Sequence, residues 1–175
     1  MKTLVIITHP NLDKSVVNKY WMEELKNYPE SYNVHDLYGV YPDEKIDVEK
    51  EKQLVEAHDK IVFQFPIYWW NSPPLLKKWL DEVMIYGWAY GSTSGYKMGN
   101  KKIALAISAG GSGKEYSSDG SFGYTLEQYL LPFEISFKYV KADYKSFFPY
   151  YGAEGKVTQR LEENTRKYLS FIEAL

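Results

Sequence analysis

The residues best suited to chemistry fall in three short segments. The first is His9-Pro10-Asn11-Leu12-Asp13-Lys14-Ser15-Val16-Val17-Asn18. If Ser15, Val17 and Asn18 open a helix, Ser15 and Asn18 both face its first turn. Free N–H groups and the positive end of the helix dipole there suit a phosphate. His9 adds the option of a charge-assisted bond. The glycines of a Walker loop or a dinucleotide fingerprint are missing, and plain capping by Asp13 or Ser15 is the alternative reading. The second segment is Pro66-Ile67-Tyr68-Trp69-Trp70-Asn71-Ser72, with Pro73-Pro74 behind it. Prolines fix the backbone on both sides, so the amides of Ile67, Tyr68 and Trp69 can point at the polar edge of a planar ring. Three large rings in succession on a surface loop need a flat ligand or a partner to cover. The third segment is Ser108-Ala109-Gly110-Gly111-Ser112-Gly113-Lys114-Glu115-Tyr116. Paired glycines let a ligand approach the backbone without a Cβ in the way, and their amides can stabilise negative charge. Tyr116 can reach over with a hydroxyl. A flexible loop with no ligand is the alternative here.

These segments need a scaffold that brings them together. Residues 3–8 form a continuous apolar run, as does 60–65, and 102–108 reads as a further strand. Such runs suit strands buried on both faces of a parallel sheet. Residues 32–38 and 139–148 supply two more strands. Helices are expected over 14–26, capped by Asp13, and over 47–57, 73–86 and 156–174, the last with Val157, Leu161, Leu169 and Ile172 toward the core. A short helix is expected over 124–131, stopped by Pro132. The alternation of strand and helix implies a doubly wound α/β sandwich. In a five-stranded sheet of this kind the first, third and fourth strands adjoin at the topological switch point, and the loops after them converge on one crevice. Residues 87–100 are the one long irregular stretch.

A chain of 175 residues with a formal charge of −2 is expected to be one domain without a nucleic-acid or polybasic membrane partner. It has no cysteine, which excludes disulfides, thiolate metal sites and cysteine nucleophiles. No metal site is expected either, because His9, His35 and His58 lack ligand spacing. The apolar run at the N-terminus is too short for membrane insertion, and a cytoplasmic location fits. No Gly-x-Ser-x-Gly elbow occurs.

With the three segments assembled, the chain resembles the flavodoxin-like NAD(P)H:quinone oxidoreductase family. It is most similar to the short bacterial members, the general-stress-protein-like NAD(P)H oxidoreductases and the ancillary flavoproteins of potassium-efflux systems. The resemblance rests on Asp36-Leu37-Tyr38 with Tyr41-Pro42-Asp43, and above all on Phe63-Gln64-Phe65-Pro66-Ile67-Tyr68-Trp69-Trp70 followed by Pro73, Leu76, Lys77, Trp79 and Asp81. It implies one flavodoxin-like domain over residues 1–175 with a five-stranded parallel sheet in the order 2-1-3-4-5. It implies a cytoplasmic homodimer with FMN as cofactor (FAD the alternative), NAD(P)H as co-substrate and a quinone-like acceptor. The longer animal members bind FAD and carry a C-terminal extension; the chain ends at Leu175 without one, which favours FMN. The implied cofactor-binding residues are His9, Ser15, Val17, Asn18, Pro66, Ile67, Tyr68, Trp69, Trp70, Ser108, Ala109, Gly110, Gly111 and Tyr116, with Gly110, Gly111 and Tyr116 also catalytic. Docking on a membrane transporter as a regulatory subunit, or one-electron carriage, are the rival expectations. Phe122 stands about where relatives often carry a histidine paired with the tyrosine.

Overall fold

A computed structural model describes residues 2–93, 95–153 and 158–175. Five strands, β1 (Thr3–Ile7), β2 (Tyr32–Asp36), β3 (Lys60–Pro66), β4 (Lys102–Ala109) and β5 (Asp143–Tyr151), form one parallel sheet in the order β2-β1-β3-β4-β5. This is the expected order. The helices are α1 (Val17–Lys26), α2 (Leu37–Val40), α3 (Val48–Glu56), α4 (Pro74–Val83), α5 (Leu126–Tyr139) and α6 (Gln159–Glu173).

Side chains alternate between the two faces of the sheet. Leu4, Ile6, Phe63, Phe65, Leu105 and Ile107 face α3, α4 and α5. Val5, Ile7, Val62, Ala104 and Ala106 face α1 and α6. The small residues of β4 on that second face leave room for Trp21 and Tyr168, whose ring centroids lie 4.5 Å apart. On the first face Glu51 of α3, almost fully buried, accepts bonds from His35, Tyr41 and the Trp79 indole at 2.8–2.9 Å. Burial alone would raise its pKa, but those donors, His35 first, hold it below the usual value. The Trp79 bond ties α3 to α4, the helix that follows the aromatic turn.

Several boundaries differ from the sequence expectation. The first helix begins at Val17, because a 3-10 turn over Leu12–Lys14 precedes it. Asp13 lies in that turn and does not cap. The second strand stops at Asp36, where α2 starts. Pro132 does not stop a helix: α5 runs on to Tyr139 with the proline inside. Pro132 and Gln128 are both exposed, so water can serve the carbonyl that the missing N–H leaves free. A Thr125–Gln128 capping box and buried Leu126, Leu130, Phe133 and Phe137 hold the helix together. The fifth strand therefore begins at Asp143. The last helix starts after its cap Thr158; Lys156 and Val157 lie outside the described residues.

Candidate functional site

The first loop leaves β1 and reaches α1 through the 3-10 turn. Thr8 N–H donates to the Gln64 carbonyl at 2.8 Å, and Asn11 N–H donates to His9 Nδ1 at 3.0 Å. A neutral His9 therefore carries its proton on Nε2. Burial pulls its pKa below 6.5, against the weaker opposing pull of Asp36. Ser15 Oγ accepts from Asn18 N–H at 3.1 Å, which leaves the serine proton free to donate outward. Among the described residues the amides of Val16 and Val17 have no partner. They sit at the start of a ten-residue helix, where anions are favoured. A cleft of about 480 Å³ opens over this segment. Its far wall comes from Pro66, Ile67, Tyr68, Ser108, Gly110 and Ala153. β1, β3 and β4 thus meet where the sheet order reverses, as the switch-point rule expects.

The aromatic segment makes a tight turn. Tyr68 and Asn71 exchange both backbone hydrogen bonds, at 2.8 and 3.0 Å. Trp69 and Trp70 between them have φ of 48° and 56°, in the left-handed region that costs a side-chain-bearing residue about 1–2 kcal/mol. Of the three amides expected to face a ligand, two are taken: Ile67 N–H donates to Ser108 and Tyr68 N–H to Asn71. The Trp69 amide remains, and that of Trp70 joins it. The Trp70 ring packs against Phe122, centroids 5.9 Å apart, and Trp69 is 88% exposed.

The glycine loop closes the third side. Gly111 gives its carbonyl to Gly152 N–H at 2.9 Å, while the amides of Gly110 and Gly111 have no partner among the described residues. A Cβ on Gly111 would stand 2.8 Å from the Phe122 ring and 3.1 Å from Tyr116. Only glycine lets Phe122 and Tyr116 pack this closely on the loop. The loop is braced by Glu115, whose carboxylate accepts from Ser112 N–H at 2.7 Å and from its hydroxyl at 2.9 Å; these bonds hold its pKa low. Tyr116 lies among Phe122, Tyr129 and Tyr151, at centroid distances of 5.0–6.0 Å. Burial raises its pKa, so the hydroxyl stays protonated at neutral pH. A second cavity of about 210 Å³ lies here, with Trp69, Trp70, Gly111, Tyr116 and Phe122 in its wall. It shares Ile67 and Gly110 with the first cleft.

The two adjoining cavities bring together His9, Ser15, Val17, Asn18, Pro66, Ile67, Tyr68, Ser108 and Gly110 on the polar side. Trp69, Trp70, Gly111 and Tyr116 stand on the aromatic side. Ala109 is fully buried in β4 and lines neither; its carbonyl accepts from Ala153 N–H. Asn18 is buried under the cleft, its side-chain amide given to Ser108 Oγ at 2.7 Å. Sequence reasoning missed Asn11, Lys14, Val16 and Ala153. A lysine beside the helix start was a legible signal for Lys14. Ala153 arrives from beyond β5 through a contact that no local pattern announces.

A parallel sheet of this order, with an anion-suited helix start and an aromatic cavity beside it at the switch point, defines a doubly wound α/β domain of flavodoxin-like class. The chain belongs to the family described as having a flavodoxin-like fold, whose model matches residues 1–172. It is 44% identical to the uncharacterised NAD(P)H oxidoreductase YrkL of Bacillus subtilis, over 99% of each chain. General stress protein 14 of Treponema denticola, solved in complex with FMN, is 45% identical, with a TM-score of 0.93 over 99% of each chain. An NADPH-quinone reductase of P. pentosaceus is 25% identical, with a TM-score of 0.88 over 98% of each. Among the described residues no helix is long and apolar enough to cross a membrane.

Proposed function

We propose that the chain binds FMN and acts as an NAD(P)H oxidoreductase whose acceptors are quinones or similar two-electron oxidants. The observation that carries this reading is the pair of adjoining cavities, one polar and one aromatic, that share Ile67 and Gly110 in their walls. The donor set fits the cofactor. The free amides of Val16 and Val17, the Ser15 hydroxyl, Lys14 and the His9 Nε2–H suit the phosphate. The free amides of Trp69, Trp70, Gly110 and Gly111 suit the polar edge of a planar ring. FMN, when bound, supplies acceptance of hydride from NAD(P)H and delivery of two electrons onward. The protein's part is to orient, shield and hydrogen-bond. Preorganised amides at Gly110 and Gly111 face developing negative charge without reorganising. Tyr116 holds its proton at Oη beside the aromatic cavity and offers it as a hydrogen bond to an acceptor. With Phe122 beside it, no second titratable side chain lines that cavity among the described residues, so proton supply passes through Tyr116 or water.

The same reading makes the protein a cytoplasmic homodimer. On α5, Leu131, Ile135 and Tyr139 form an exposed stripe at a spacing of four, and Tyr86, Tyr124 and Trp69 are also exposed. A second copy covering this surface would complete the wall around Trp69. The test is anaerobic mixing of the FMN-loaded protein with NADPH and with NADH, followed by addition of a benzoquinone. Bleaching of the flavin by at least one nucleotide and recovery with the quinone are expected. Absence of bleaching with both would overturn the reading.

A further inference from the structure

One buried polar chain crosses the layer under the cleft and belongs to neither cavity wall alone. Tyr168 of α6 is fully buried, and its hydroxyl donates to Gln64 Oε1 at 3.0 Å. Gln64, a fully buried amide in the middle of the apolar strand β3, then turns its Nε2 to the Asn18 carbonyl at 3.1 Å and to Asn18 Oδ1 at 3.4 Å. Asn18 Nδ2 in turn donates to Ser108 Oγ at 2.7 Å, with a longer contact to Ser15 Oγ at 3.5 Å. Every step has a direction. A tyrosine hydroxyl held protonated by burial must donate, because burial leaves it no other use for the proton. Its acceptor is therefore the oxygen end of Gln64, and the nitrogen end points at α1. Asn18 is thereby set with its oxygen toward Gln64 and its nitrogen toward Ser108. Ser108 becomes an acceptor from the protein side, as Ser15 already is through the Asn18 backbone N–H, and their own protons are left for the cleft they line.

We propose that Tyr168 and Gln64 are positioning residues for phosphate recognition. They fix the orientation of the Asn18 side chain and so turn the Ser108 hydroxyl into a donor aimed at the cleft. The inference rests on the FMN reading and deepens it. A polar chain this buried is costly unless every member is satisfied, and here Gln64 supplies the acceptor for the buried Tyr168 hydroxyl and a donor to Asn18.

The test compares FMN with riboflavin, which lacks the phosphate, in equilibrium titrations of the flavin-free protein. Tyr168→Phe keeps the ring on Trp21 and Phe148 and removes only the donor. It is expected to weaken FMN by about tenfold, the scale of one charge-assisted hydrogen bond, and to leave riboflavin unchanged. Gln64→Met carries the same expectation should Tyr168→Phe fail to fold. A double-mutant cycle of Tyr168→Phe with Ser108→Ala is expected to be non-additive for FMN, since the second change removes what the first misaligns. Equal losses for FMN and riboflavin, no loss for either, or additive effects would overturn the proposal. If the unaltered protein binds neither flavin, the cofactor reading fails first, and the two failures are told apart.

Discussion

The two halves of the site are built on opposite terms. The polar half, at the start of α1, rests on relaxed backbone and a buried ladder of satisfied bonds from Tyr168 through Gln64 and Asn18 to Ser108. The aromatic half, at Trp69 and Trp70, is strained and exposed: two tryptophans in left-handed conformation, one of them almost wholly in solvent. The first half is hydrogen-bonded before any ligand arrives. The second is held against its own conformational preference, as strained segments at binding sites often are. We read this as a division between recognising an anion, which needs fixed donors, and admitting flat rings, which needs open walls.

The comparison breaks most sharply where charge is reversed. Ser15→Asp puts a carboxylate among the proposed phosphate donors and is expected to weaken FMN by roughly a hundredfold, with riboflavin little affected; titration of the flavin-free protein checks both. Gly111→Ala acts on the other half. Its Cβ meets Phe122 at 2.8 Å, and overpacking on this scale is expected to weaken FMN and riboflavin alike by about tenfold. A selective loss of FMN would contradict the assignment of Gly111 to the ring. Trp69→Asn tests the strain. Asparagine tolerates the left-handed region, so the ligand-free protein is expected to gain about 1 kcal/mol and to melt about 2–4 °C higher, while turnover with NAD(P)H falls. A lower melting point would show that the ring packs more than it strains.

The smallest effect expected is that of pH. His9 has its pKa lowered by burial, so it is neutral near pH 7 in the free protein. A bound phosphate favours the imidazolium and raises that pKa, so binding takes up a proton. FMN affinity is then expected to rise as pH falls from about 8 to about 6.5, above the second ionisation of the phosphate near 6. His9→Gln should flatten the slope, and riboflavin should show none.

Much of this was legible from residue types. The apolar runs of β1, β3 and β4 have nowhere to go but the middle of a parallel sheet, and that alone brings the three loops together. That Pro66, Ile67, Tyr68, Trp69, Trp70, Gly110 and Gly111 would line one crevice was legible for the same reason. What was not legible is tertiary. Pro132 reads as a helix stop until the capping box and the buried Phe133 and Phe137 outweigh it. The left-handed turn at Trp69 and Trp70 runs against local preference, so the amides of Ile67 and Tyr68 looked free when they are not. Tyr168 reads as one more aromatic on a helix, and only the three-dimensional packing gives its hydroxyl to Gln64. Asn18 was singled out for the phosphate, whereas its amide serves Ser108.

The central claim, that the cleft over α1 recognises a phosphate while the aromatic slot takes the ring joined to it, is tested most directly by one titration. The purified, flavin-free protein is titrated with FMN and with riboflavin under identical conditions. Tighter binding of FMN by at least about a hundredfold, the scale of several charge-assisted bonds, is the result expected. Equal affinity for the two, or no binding of either, would contradict it.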